Sequence, residues 1–292
     1  MQNSDDKNII IPYETTDGVK SHVSIFKADA AENAPVVMLM PAMGVGASYY
    51  ASFAETLNLR GIHATTADLR GIGASSVRAS QKHDFGYYEM AALEWPAIIG
   101  VVRQTFPDSP LYLLGHSLGG QISALYLALH WNNPLVSGYI IVAAGNVYYK
   151  GWDFPRSLGI LFFTQLCRVL VAFTDHFPGK RLGFGGREAK SVIRDWSRQA
   201  RTGRFLVRNR ELDLADGLSK VKVPILATTI EDDWLCPWGS TDNLLKQMTS
   251  ADIERWTFDP DAHGLSGVNH FTWVRKGGPL ADRIRTWLKK NM

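Results

Sequence analysis

The 292-residue chain predicts an α/β fold: a doubly wound, mostly parallel sheet interrupted by an inserted helical cap. Three observations carry that reading. Short apolar runs alternate with stretches of helical periodicity in the first and last parts of the chain, the rhythm of a parallel sheet covered by helices. The buried-strand run Leu111-Tyr112-Leu113-Leu114 leads straight into Gly115-His116-Ser117-Leu118-Gly119, and apolar residues then recur at helical spacing to His130, so a Gly-x-Ser-x-Gly joins strand to helix. From about Gly145 to Arg210 the alternation stops while helical stretches continue.

Taken in order, Asn8 to Pro12 and Val19 to Lys27 are opening strands joined by the turn signal Thr16-Asp17-Gly18. Val36 to Met40 is a buried strand running into the Gly-rich loop Pro41 to Ser48. Ser48 is placed to cap a helix from Tyr49 to Leu59 that stops at Gly61. Ile62 to Ala67 is the next strand, followed by Asp68-Leu69-Arg70-Gly71-Ile72-Gly73-Ala74-Ser75. A long helix, about Tyr87 to Phe106, returns the chain to the Leu111 strand, and Pro96 inside it should kink it. Gly138 to Ala143 is a further strand. After the insertion, with helices at Leu158 to Phe173 and Glu188 to Arg201, the pattern resumes: strand Val223 to Ile230, helix Trp238 to Met248, strand Ile253 to Phe258, helix Leu280 to Lys290. Residues 1–144 and 211–292 are therefore read as the core and 145–210 as the cap.

Composition narrows the function classes. A hydrophobic share of 46% supplies a core, and a net charge of +3 gives no case for nucleic acid. Two cysteines, Cys167 and Cys236, are no disulfide framework. Met1 to Lys7 is polar and lacks the apolar stretch of a signal peptide, so it reads as a disordered tag on a cytoplasmic protein.

The strand–Ser117–helix junction has a chemical use. A serine on a sharp turn lifts its hydroxyl above the sheet, and side chains at Gly115 or Gly119 would meet neighbouring backbone. The helix N-terminus beneath offers free N–H groups and a positive dipole end to a developing oxyanion. Such a serine needs a base, and the base a carboxylate. Glu231, Asp232 and Asp233 follow the Val223 strand, and His263 and His270 follow the last one. The spacing of these histidines with Asp259 and Asp261 matches no usual zinc pattern, and no metal or organic cofactor is implied.

Together Pro41 to Ser48, Asp68-x-Arg70-Gly71-x-Gly73-x-Ser75, the elbow at Ser117, Asp233-x-x-x-Pro237 and Asn269-His270-Phe271 resemble the α/β-hydrolase superfamily over nearly the whole chain. Ala42-Met43-Gly44-Val45 with Tyr49-Tyr50 resembles a bacterial group of predicted hydrolases and esterases without assigned substrate. The resemblance implies a Ser–acid–His triad. It selects Asp233, four residues before a proline, with Asp232 next. It selects His270, in the context usually written Gly-His-Phe although Asn269 stands for the glycine here, with His263 as rival. It implies an oxyanion hole from the N–H groups of Met43 and Leu118, since Pro41 has none. Arg70 with Asp68 is expected to brace the site, and His116 to shape the pocket rather than transfer protons. The implied activity is serine ester hydrolysis through an acyl-enzyme on a small-molecule acyl substrate. Acyl transfer on the same triad and a non-catalytic binding protein are the alternatives. Serine, rather than aspartate, argues against haloalkane and epoxide chemistry.

The insertion is individual. It holds 13 Lys and Arg against four acids, a net +9, while the rest of the chain carries −6. That excess either attracts an anionic acyl substrate or a membrane surface by its field, or is a solvated face balanced by the acidic body. Leu158 to Phe173 is strongly apolar, interrupted by Gln165 and Arg168, and reads as too short for a stable membrane span. It is expected to be a cap helix whose apolar face roofs the acyl pocket, with Phe162, Phe163, Trp152 and Trp196 as candidates to line it and ordinary core as the alternative for that aromatic stripe. Gly183-Phe184-Gly185-Gly186 lacks the Lys-Ser/Thr of a phosphate loop and reads as a hinge or turn.

Overall fold

Strands β1 (Asn8–Glu14), β2 (Lys20–Phe26), β3 (Val36–Met40), β4 (His63–Ala67), β5 (Leu111–His116), β6 (Gly138–Val142), β7 (Ile225–Ile230) and β8 (Ile253–Phe258) form one eight-stranded sheet. Its order is β1-β2-β4-β3-β5-β6-β7-β8. The structure, a computed structural model, describes residues 8–207 and 212–292; the Met1 to Lys7 tag, Arg208 and Arg210 lie outside them. The β1–β2 and β2–β4 pairs are antiparallel and the remaining pairs parallel. β3 to β7 are buried along their whole length, as strands covered on both faces must be.

Alternation along the strands divides the core in two. Val36, Met38, Leu111 and Leu113 pack into one cluster, and Val37, Leu39, Tyr112 and Leu114 into the other. Helix α1 (Ala51–Asn58) covers the second cluster, and helices α2 (Trp95–Thr105) and α3 (Leu118–Leu129) cover the first. Between β6 and β7 the chain carries α4 (Arg156–Phe173) and α5 (Lys190–Thr202), which pack on each other; α6 (Trp238–Leu245) and α7 (Gly278–Asn291) complete the chain, with Trp287 of α7 fully buried against the second cluster.

Local departures from the sequence reading have physical causes. Ser48 caps nothing: a 3₁₀ turn, Ala47–Tyr50, precedes α1, and the Ala47 N–H donates instead to Asp68 Oδ1 at 2.7 Å. Pro96 sits in the first turn of α2, where its missing N–H matters least, and the irregularity falls upstream as a π-turn at Met90–Glu94 between Tyr87–Glu89 and α2. At 18 residues α4 is two residues longer than the stretch 158–173 read from the sequence, and by length and composition alone is long and apolar enough to cross a membrane. It nevertheless lies against the protein: Thr164, Cys167 and Val171 are buried, and Gln165 Nε2 donates to Ser197 O at 2.8 Å.

Candidate active site

The parallel registers bring the C-terminal ends of β3, β5, β6 and β7 together. Met40 lies opposite Gly115, His116 opposite Val142, and Val142 opposite Thr228. In an open parallel sheet that edge is where loops converge on a ligand. Ser117 stands on the turn from β5 to α3 with φ 51° and ψ −116°, a region L-residues rarely adopt. The flanking glycines are required by approach distance. A Cβ on Gly119 would lie 2.3 Å from Met40 O, and one on Gly115 2.3 Å from Gly120 Cα. Backbone cannot yield there as a side chain could.

Ser117 opens onto a cavity of about 580 Å³ whose wall includes Met43, Leu118 and His270. His270 Nδ1 lies 2.7 Å from Asp233 Oδ2, with both side chains buried. A second oxygen of Asp233, Oδ1, accepts from Leu235 N at 3.0 Å, which fixes the carboxylate plane. The neighbouring candidates are placed elsewhere. Asp232 and Glu231 are exposed, and His263 is exposed in the turn Asp261–His263 and is no part of the cavity wall. Among the described residues no backbone hydrogen bond outside regular elements engages the N–H of Met43 or Leu118.

Beneath the cavity the support is polar and tightly coupled. Tyr50 Oη accepts from Ala42 N at 2.9 Å and lies 2.7 Å from His116 Nδ1, so one hydroxyl ties the loop after β3 to the elbow strand. His116 is fully buried, 5.0 Å from the His270 ring between centroids; burial, then the nearby His270, holds it well below the usual histidine range and therefore neutral. Asp68 accepts from Ala47 N and Ala74 N, pinning the turn that follows the Met43 loop. Arg70 pairs with Asp17 at 2.6 Å and with buried Glu94 at 3.2 Å and lies off the cavity wall, in keeping with a bracing role.

The upper wall comes from the stretch between β6 and β7. Trp152, Phe163 and Trp196 line the cavity, but Phe162 does not: it is 72% exposed on the outer side of α4. Phe184 joins them, its ring centroid 5.3 Å from both Phe163 and Trp196. The Gly183–Gly186 segment is a turn, and it presses onto the Met43 loop so closely that a Cβ on Gly44 would lie 2.4 Å from Gly185 C. Other wall residues escaped the sequence reading, Gln121 and Trp234 among them. Gln121 is four residues after Ser117 on the same helical face, a spacing that could have flagged it; Tyr87 Oη donates to its Oε1 at 2.7 Å. Trp234 carried no such signal. Cys236 also lines the wall, but burial pushes its thiol up to about 12, so it is no nucleophile.

The family model described as serine aminopeptidase S33 matches residues 31–267, the span from the approach to β3 through the loop before His270. The chain belongs to this family of α/β-hydrolases. It is 26% identical over 244 residues to a bifunctional esterase/perhydrolase of Acinetobacter calcoaceticus, covering 77% of this chain and 83% of that one. Among solved structures, a soluble variant of monoglyceride lipase from Saccharomyces cerevisiae, in complex with a substrate analogue, superposes with a TM-score of 0.69 at 17% identity, covering 100% of this chain and 98% of the other. A carboxyl esterase from Bacillus coagulans, in complex with glycerol, gives 0.68 at 15% identity, covering 97% and 98%. For this S33-family chain the two structural likenesses establish the fold, and the strand order and elbow agree with it.

Proposed function

We propose that the protein hydrolyses a carboxylic ester through an acyl-enzyme on Ser117, with His270 as general base and acid and Asp233 orienting it. The observation that supports this reading best is the convergence on one cavity of a serine at a strained helix-N-terminal turn and a buried histidine held by a carboxylate at 2.7 Å. Ser117 Oγ attacks the acyl carbonyl as its proton passes to His270 Nε2. Asp233 stabilises the imidazolium, and the Met43 and Leu118 N–H groups receive the oxyanion. The tetrahedral adduct collapses as His270 returns the proton to the leaving alkoxide, and water repeats the sequence on the acyl-enzyme.

The apolar wall suits an acyl chain or aromatic acid. Among the described residues Arg156 is the one lysine or arginine on that wall, and with the basic inserted segment as a cap it favours an ester bearing an anionic group. Cys167 and Cys236 are free thiols, which suits a reducing cytoplasm. Transfer to an acceptor other than water shares the first half-reaction, and the Acinetobacter relative is described as a perhydrolase as well as an esterase. A fluorophosphonate probe tests the central assignment. Wild type labels and Ser117→Ala does not, while folded wild type that fails to label, or an alanine variant that still does, overturns it.

A further inference from the structure

Helix α4 has two apolar faces, and the protein covers only one. Inward, Ile160 and Phe163 meet the cavity and Cys167 and Val171 are buried. Outward, Leu158, Phe162, Leu166, Val169 and Phe173 are 53%, 72%, 52%, 55% and 85% exposed. Their spacing of four, four, three and four residues puts them on one helical stripe. Phe154 before the helix and Leu182 after it are exposed as well. Isolated exposed apolar residues are ordinary, but a contiguous stripe of large ones marks a surface meant to be covered.

Charge says by what. Arg156, Arg168, Lys180 and Arg181 alternate along the chain with the stripe residues and are themselves exposed. Among the described residues of the inserted segment, eight exposed Lys and Arg face two exposed acids, Asp153 and Asp175. A second copy of the chain docking through the same patch would set these cations against their own kind. An anionic lipid surface takes both features at once, apolar side chains below the headgroups and cations among the phosphates. Its cohesion with α5 through Gln165 and the buried face keeps α4 lying in the interface rather than crossing it.

We propose that the outer face of α4 seats the protein on an anionic lipid bilayer, with the helix axis parallel to the membrane. Docking requires no turnover, so it is independent of the reading of Ser117. Flotation of the full chain with vesicles of phosphatidylcholine, with or without about 30% phosphatidylglycerol, tests it. Wild type floats with the anionic vesicles and much less with neutral ones, and about 0.5 M NaCl weakens the association. Leu166→Ser with Phe173→Ser, both outside the cavity wall, lowers the partition coefficient by at least ~10-fold while melting and hydrolysis of a short soluble ester stay as in wild type. Phe173→Glu alone provides a second variant if the double one melts early, and the same loss is expected. No flotation of wild type, undiminished flotation of these variants, or a dimer in solution that the substitutions abolish without any vesicle binding would each overturn the proposal.

Discussion

The backbone at Ser117, with φ 51°, holds a conformation that costs of order 1–3 kcal/mol, and the residues around it give that strain a use. On the proposed mechanism the two late histidines separate cleanly. His270→Ala lowers kcat by roughly 10³-fold or more, whereas His263→Ala, a change at an exposed turn, leaves steady-state kinetics within about twofold. Asp233→Asn belongs with the first: it keeps the shape but offers His270 Nδ1 the wrong partner, and kcat falls by roughly 10³–10⁴ with little change in KM. Chain position alone could not rank His263 against His270. What separates them is that one is exposed and the other meets Asp233 across 37 residues, a contact made by the β7–β8 pairing and by no local pattern. Leu118 and Met43 were picked out by the resemblance, and both line the cavity.

Whole elements were legible where a local rule fixes them. Continuous apolar runs announced β3, β5 and β6, and the glycines of the elbow announced the close approach that the Met40 carbonyl makes. Gly119→Ala is accordingly expected to destabilise by roughly 3 kcal/mol or more, read by denaturant unfolding, since the added methyl meets backbone at 2.3 Å. The 3₁₀ turn before α1 was not legible, because the carboxylate that accepts from its Ala47 N–H comes from Asp68, beyond β4, and no side chain caps α1. The turn at Gly183–Gly186 carries a further consequence. Glu188 is buried, and burial pushes its carboxyl up to about 7, its Oε1 accepting from Gly186 N at 2.8 Å. The folded protein thus holds this proton more tightly than the unfolded chain. Its contribution is full below about pH 4.5 and is lost as pH rises to about 7, by up to roughly 3 kcal/mol. Glu188→Gln keeps an acceptor for Gly186 and removes the titration, so its melting temperature should exceed that of wild type at pH 8 and vary less between pH 4.5 and 7.

At the scale of the molecule a net charge of +3 conceals a dipole, +9 on residues 145–210 against −6 elsewhere, with Arg208 and Arg210 of that count outside the described residues. The sequence showed the asymmetry but not its direction, which depends on where the insertion sits. The structure sets α4 and α5 beside the cavity, with Arg156 on its wall, so the positive end of the dipole borders the cavity. A field of this kind raises the encounter rate of anions and is screened over about 10 Å at 0.1 M salt. Two esters of equal acyl length, one ending in a carboxylate and one in a methyl group, separate steering from contact. The carboxylate ester should show the higher kcat/KM at low salt, the advantage shrinking several-fold as NaCl rises from about 0.02 to 0.5 M. Arg156→Gln should raise KM for that ester alone and leave the salt slope largely in place, because the slope comes from the remaining cations. Equal kcat/KM for the two esters at low salt would instead make the basic insertion a solvated face balanced by the acidic body.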